Sequence, residues 1–271
     1  MRQQAQHTKH GSKRHSISTI LCVVFVVIAL IGTGTIVFLT FYHPPVEISD
    51  SSAETDDAAA ETTDGAGDAS TPAVTLVKNP IDFASLQQEN PDIYAWITIP
   101  NTNISYPICQ SATDDTYYLS HDSDGNESTG GAVFSEMQTS KDFTKPVSVI
   151  YGHNSGLFAE IHYFENTDFF NNNEYFYIYT PYHVITYRVI SAYQYDNRHI
   201  LNSFDFLQPD VKRSYFDMVC NPQSMIKNVR EGASLSDDDR IVQLSTCMSP
   251  YSSAQRYIVT GVLVSDQAAD R

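Results

Sequence analysis

The chain has 271 residues, with 16 Lys+Arg against 32 Asp+Glu and a formal net charge of −16 at pH 7. That balance excludes a nucleic-acid binder, which needs basic clusters to neutralise phosphates. At 42% hydrophobic residues the composition is globular, and the length allows one or two domains.

In chain order, residues 1–16 carry Arg2, Lys9, Lys13 and Arg14, and no acidic residue occurs before Glu47. From Ile17 to Tyr42, "ISTILCVVFVVIALIGTGTIVFLTFY" has no charged side chain. As a helix it is long enough to cross a hydrocarbon core of roughly 30 Å. It is longer than the apolar centre of a cleaved signal peptide or an ordinary core helix, and it ends in the interfacial pair Phe41-Tyr42. A signal anchor over 17–42 is predicted, with residues 1–16 in the cytoplasm and the rest of the chain extracytoplasmic. Residues 43–75 are rich in Ala, Thr, Ser, Asp and Glu. They bury too little apolar surface to offset chain entropy, and their charges repel, which predicts an extended, disordered acidic spacer. Residues 76–271 then form one extracytoplasmic domain.

That domain opens with a short helical pattern carrying Phe83 and Leu86 on one side, with Asp82 as its cap, and shifts to strand-like residues from Tyr94 to Ile99. "NTNISYPICQ" gives a turn and a second short strand. A brief helix or turn around "DDTYYLS" and a glycine-containing loop lead into Ala132-Val133-Phe134. "KPVSVIYGHN" is a strand alternating at Val147, Val149 and Tyr151 and ending at Gly152-His153-Asn154. "FYIYT" and "HVITYRVISAYQY", separated by Pro181-Tyr182, read as a hairpin. A helix is bounded by Pro209 and Pro222. The last strand pair lies within "RIVQLSTCMSPYSSAQRYIVTGVLV". There is no βαβ alternation, glycine-rich phosphate loop or G-x-S-x-G elbow. The pattern predicts a mostly β fold, a closed or nearly closed barrel with a few short peripheral helices.

Of four cysteines, Cys22 lies in the predicted anchor, which leaves Cys109, Cys220 and Cys247 outside. An odd number leaves at least one thiol unpaired in a monomer. No CxxC, HxxxH or HExxH spacing occurs, so neither a structural zinc nor another metal or cofactor is expected. Cys109 in an apolar strand and Cys220 in a helix read as packing residues. Cys247 ends a strand in which Val242 and Leu244 face the core, so Gln243, Ser245 and Cys247 face the other side, toward a groove. A thiol reacts as thiolate, and histidine is the usual partner for its proton. His153, at the end of an apolar strand, is the first choice; His121, in a polar loop, and His162, in a short helix, compete with it. Arg256 opens the strand after the turn, and antiparallel pairing brings it near Cys247.

"LSTC", followed nine residues after its cysteine by the arginine of "QRYIV" and preceded far upstream by "YGHN", resembles the sortase family of Gram-positive surface transpeptidases. "YAWITIPNTNISYPICQ", "DDTYYLSHD" and "YGHNSGLFAEIHYFENTDFF" are most similar to class B members, and the likeness runs from about Ile81 to Val264. Gln243 departs from the family pattern, in which many members have Thr or another small residue. The resemblance implies a closed barrel of about eight strands, with an N-terminal helix and a helix before the last strand pair. It implies Cys247 as nucleophile, His153 as general acid/base and Arg256 as the cation near the substrate carbonyl, with no cofactor. The implied partners are surface proteins bearing an NPxTx-like sorting motif, cleaved at a Thr carbonyl. The acceptor is an amino group of a cell-wall precursor or a pilin lysine. Competing readings are a membrane-anchored cysteine endopeptidase and a non-catalytic anchored binding domain. A papain-like protease is disfavoured because its cysteine precedes its histidine. A class C pilus enzyme is disfavoured because no Asp-Pro-aromatic lid motif occurs in residues 79–89.

Overall fold

Asp82 starts the first helix as expected: its Oδ1 accepts the main-chain N–H of Ser85 at 3.0 Å, capping α1 (Phe83–Glu89). The computed structural model describes residues 76–270, so the predicted cytoplasmic segment, anchor and spacer lie outside the described residues. Among the described residues no helix is long and apolar enough to cross a membrane.

After α1 come β1 (Ile93–Thr98), β2 (Ser105–Cys109), a 3₁₀ turn (Tyr117–Leu119), β3 (Val133–Phe134) and β4 (Val147–Tyr151). A second 3₁₀ segment (Ala159–Glu165) and α2 (Thr167–Asn172) precede β5 (Tyr175–Thr180) and β6 (His183–Asp196). Then follow α3 (Ile200–Ser203), α4 (Pro209–Cys220), β7 (Lys227–Val229), β8 (Ile241–Ser249) and β9 (Ser252–Ala268). The strands form one sheet in the order β5-β1-β2-β3-β4-β8-β9-β6-β7, and β5 pairs again with β6. That second pairing closes eight strands into a barrel and leaves β7 as an outside edge. The expected eight-strand closure holds, and the ninth strand is an addition. The helix expected before the last strand pair is α4, with β7 between it and β8. Pro209 occupies its first turn, where a missing N–H costs nothing.

The hairpin β5–β6 turns through two residues, with Thr180 opposite His183. Most neighbours are antiparallel, but β2–β3 and β4–β8 are parallel. Side chains alternate across β4 and β8, and both faces are covered. Ile150, Val242 and Leu244 point into the barrel with Phe176, Tyr187 and Val259. Val147, Val149 and Ile241 point outward, where Tyr215, Phe216 and Val219 of α4 bury them. Gln243 therefore lies under α4, fully buried, and does not face a groove. The outer face opens only beyond it, at Cys247. Gly261 is required inside the barrel: a Cβ there would lie 2.4 Å from the Phe176 ring, which stacks on Tyr187.

Candidate active site

The parallel pairing of β4 with β8 sets Tyr151 opposite Ser245. Two residues further along stand Cys247, still in β8, and His153, just beyond the end of β4. The strand ends are tied together: Gly152 N–H donates to Ser245 O at 3.2 Å, and Thr246 Oγ1 donates to Gly152 O at 2.7 Å. Gly152 packs so closely on Phe158 that a Cβ would lie 2.7 Å from its ring. On the other side of β8, the antiparallel register pairs Cys247 with Arg256 of β9. Arg256 Nη1 donates to Cys247 Sγ at 3.3 Å. Of the residues singled out from the sequence, Cys247 and Arg256 are thus in contact, and His153 follows the end of β4, the strand that flanks β8 on the opposite side.

The bond recorded for the His153 ring runs from Nε2 to Leu119 O at 2.9 Å. A carbonyl only accepts, so Nε2 carries the proton and Nδ1 is the acceptor nitrogen of the neutral ring. Leu119 closes the first 3₁₀ turn. Gly131 fills the space beside it at φ +59°, where a Cβ would lie 2.5 Å from Tyr118 O and 3.0 Å from His153 Cδ2.

The other histidines divide. His121 stacks on Tyr117 at 3.9 Å and bonds Tyr117 O in its own loop. His162, in the second 3₁₀ segment, bonds the main-chain carbonyl of Cys247 at 3.0 Å. Asn154 Nδ2 donates to the same carbonyl at 2.8 Å. Sequence reading passed over Asn154, although it directly follows the favoured histidine.

All three described cysteines are free. Burial, helped by the charge of Asp92, pushes the Cys109 thiol up to about 12. Burial also raises Cys220, with Asp217 adding to the shift. Both are poor sources of thiolate at neutral pH and fit packing roles. Cys247 is half-buried, and its neighbours Ser245 and Arg256 line a cleft of about 70 Å³ together with Tyr151, Tyr195, His199 and Ile258. Burial, then the charge of Glu136, keeps the Tyr151 phenol neutral well above the usual range. His199 donates from Nε2 to Glu136 Oε1 at 2.7 Å while its Nδ1 accepts the N–H of Asn202 at 3.1 Å, which fixes that ring on the cleft wall. Burial outweighs the His199 contact and raises the Glu136 carboxyl. Among the described residues no group of three or more His, Cys, Asp or Glu is arranged to hold a metal ion.

A thiol and a guanidinium touching it on adjacent strands, with an imidazole that keeps an accepting nitrogen just beyond the end of the next strand, are the groups that covalent acyl transfer needs. A family model described as a sortase domain matches residues 97–264. Sortase B of Listeria monocytogenes is 27% identical over 187 residues, covering 68% of this chain and 74% of that protein. The structure of Clostridium perfringens sortase B superposes with a TM-score of 0.59 at 28% identity, over 67% of this chain and 99% of that one. A class B sortase of Streptococcus pyogenes involved in pilus biogenesis gives 0.58 at 26% identity, over 68% of this chain and 98% of that one.

Proposed function

This chain belongs to the sortase family and is a cysteine transpeptidase, and from that premise we propose that Cys247 is its nucleophile, His153 its general acid/base and Arg256 the cation facing the substrate carbonyl. The observation that carries the reading is the 3.3 Å contact between Arg256 Nη1 and Cys247 Sγ. Cys109 and Cys220 offer no comparable environment.

Sulfur attacks a Thr carbonyl of the sorting motif as the thiol proton passes to His153 Nδ1. Negative charge then develops on the carbonyl oxygen, where Arg256 stabilises it, because a guanidinium stays charged and presents rigidly placed donors. The tetrahedral intermediate collapses by breaking the C–N bond. His153 returns its proton to the departing amine, and the substrate acyl group remains as a thioester on Cys247. An incoming amine attacks that thioester, His153 accepts its proton, and the new amide leaves as the thiol is restored. The bond from Nε2–H to Leu119 O supports this role, since it leaves Nδ1 as the accepting nitrogen for both transfers.

The sorting motif is NPxTx-like, in keeping with class B relatives, and the acceptor is an amino group of a cell-wall precursor. A pilin lysine is the second reading, favoured by the likeness to the S. pyogenes enzyme. Residues 17–42 anchor the enzyme with residues 1–16 in the cytoplasm, residues 43–75 act as a spacer, and residues 76–271 work outside the membrane.

The test is mass spectrometry of the protein incubated with a library of sorting-motif peptides and an amine. A thioacyl adduct on Cys247 that resolves to the amide, and is lost in Cys247→Ala, is expected. An adduct on Cys109 or Cys220, or transfer surviving in Cys247→Ala, would overturn the assignment.

A further inference from the structure

The carbonyl of Cys247 occupies an unusual place in the sheet. Along the parallel ladder, Ser245 O accepts from Gly152 N, so by the two-residue period of a strand Cys247 O points the same way, toward β4. But β4 has ended at Tyr151, and the chain turns away at Gly152-His153. The ladder bond that residue 154 would have supplied is missing, and the Asn154 side-chain amide stands in for it at 2.8 Å. One donor satisfies an orphan carbonyl. Here a second arrives, His162 Nε2 at 3.0 Å, from a different segment.

That second donor is itself braced. Its Nδ1 faces the Glu165 carboxylate, and because that carboxylate and the Cys247 carbonyl both only accept, the ring makes the two bonds together as the imidazolium; the ring stacks on Tyr257 at 4.8 Å and 20°. Tyr257 pairs with Thr246 across the β8–β9 ladder and adjoins Arg256 in sequence. His162 therefore links the strand bearing the thiol, the strand bearing the guanidinium and the 3₁₀ segment. Immediately beyond Cys247 the β8–β9 register shifts before Ser249 pairs with Ser252. Strand pairing alone does not fix the peptide that follows the cysteine.

We propose that Asn154 and His162, backed by Glu165, are positioning residues for this reaction: they clamp the carbonyl of the nucleophile's own peptide and so hold Sγ against Arg256. The proposal rests on Cys247 being the nucleophile. Releasing the carbonyl lets the main chain of β8 shift at Cys247, which carries Cα and Sγ off the guanidinium and misaligns the thiol with the acceptor nitrogen of His153. A displacement of about 1 Å costs up to about a hundredfold in rate.

The experiment compares His162→Phe, His162→Gln and Asn154→Ala with the wild-type full-length enzyme. His162→Phe keeps the ring over Tyr257 but removes both hydrogen bonds, whereas His162→Gln keeps a donor. Two readouts are taken: kcat and KM for peptide transfer, and the pH profile of Cys247 alkylation by iodoacetamide, followed by peptide mapping. For His162→Phe the expected result is a fall in kcat of about ten- to hundredfold with KM within about twofold, and an alkylation midpoint displaced to higher pH. Asn154→Ala moves both readouts in the same direction, and His162→Gln recovers most of the loss. A residue needed only for folding would lower the yield of active enzyme without moving the midpoint. Folded His162→Phe and Asn154→Ala proteins with wild-type kcat and alkylation profile would overturn the proposal. So would a His162→Gln protein no better than His162→Phe. If His162→Phe does not fold, Asn154→Ala and His162→Gln decide by the same criteria. A Cys247→Ala control separates the two levels: retained transfer defeats the nucleophile assignment, whereas an inactive control with silent clamp variants defeats the clamp alone.

Discussion

Arg256 offers Cys247 one corner of a planar, permanently charged fork, with Nη1 3.3 Å from Sγ. The fork's width lets one side chain serve a sulfur and a neighbouring oxygen together. A lysine ammonium is a point charge on a flexible stem and cannot hold both directions. Arg256→Lys is therefore expected to lower kcat by about a hundredfold, the usual effect of losing one oxyanion donor, with a smaller change in KM. Steady-state transfer assays with a soluble sorting peptide measure this, and near-wild-type kcat in the lysine variant would remove Arg256 from the chemistry. Arg256 was readable in the sequence because its partner lies across a short local turn, where antiparallel pairing follows from strand, turn and strand. His153 was readable as a strand-end residue, but its placement beside Cys247 depends on a parallel pairing of β4 with β8 that no local pattern encodes. The roles of Asn154 and His162 depend on that same pairing. They bond a main-chain atom, and the direction of a carbonyl leaves no mark in residue type.

The strand that bears Cys247 is sandwiched, and its sequence reflects that. β8 shows alternation because the inner positions Val242 and Leu244 are aliphatic, whereas the outer position between them, under α4, is Gln243, which departs from the family pattern. Gln243 Oε1 accepts from Tyr215 Oη at 2.7 Å, and Nε2 donates to Tyr193 Oη and Thr260 Oγ1, each at 3.2 Å. One amide thereby ties α4, β6 and β9 to β8, and α4 is seated by a buried polar knot within an apolar layer. Gln243→Leu leaves three buried hydroxyl groups short of a partner, and is expected to destabilise the domain by about 2–3 kcal/mol. Urea unfolding would show a lower midpoint at an unchanged slope. A variant as stable as wild type would mean that the hydroxyls find other partners. In β9 the sequence showed no clear period because both faces are buried, Tyr257 and Val259 inward and Ile258 outward. Strand β7, three residues with one lysine and one asparagine, carries no strand pattern and exists because the edge of β6 accepts it.

At the scale of the whole molecule, the two ends of the described chain meet far along β9 from the thiol. Val77 N–H donates to Ala268 O at 2.9 Å, and Asn79 N–H donates to Asp270 Oδ1 at 2.8 Å. Arg256 stands near the start of β9 and Ala268 ends it, a separation of roughly 40 Å along a strand at about 3.3 Å per residue. Residue 76, the first described residue, thus lies at the end of the domain remote from Cys247. With residues 17–42 as the proposed anchor, the number of residues between it and the domain sets how far Cys247 can reach toward a membrane-held donor. The upper limit on the reach of residues 43–75, at full extension, is about 110 Å. Deleting residues 46–68 should leave kcat/KM for a soluble sorting peptide unchanged, because the cleft and its supports are distant from the tether. The same deletion should lower transfer from a membrane-anchored substrate in vesicles severalfold, since the shortened tether restricts approach. Replacing the deleted residues with a Gly/Ser tract of equal length should restore most of the loss, and the remainder should shrink as salt screens the acidic spacer. Equal activity of the deleted and full-length enzymes on the vesicle-bound substrate would show that spacer length does not limit encounter. Loss on the soluble peptide would instead mean that residues before 76 act on the domain itself.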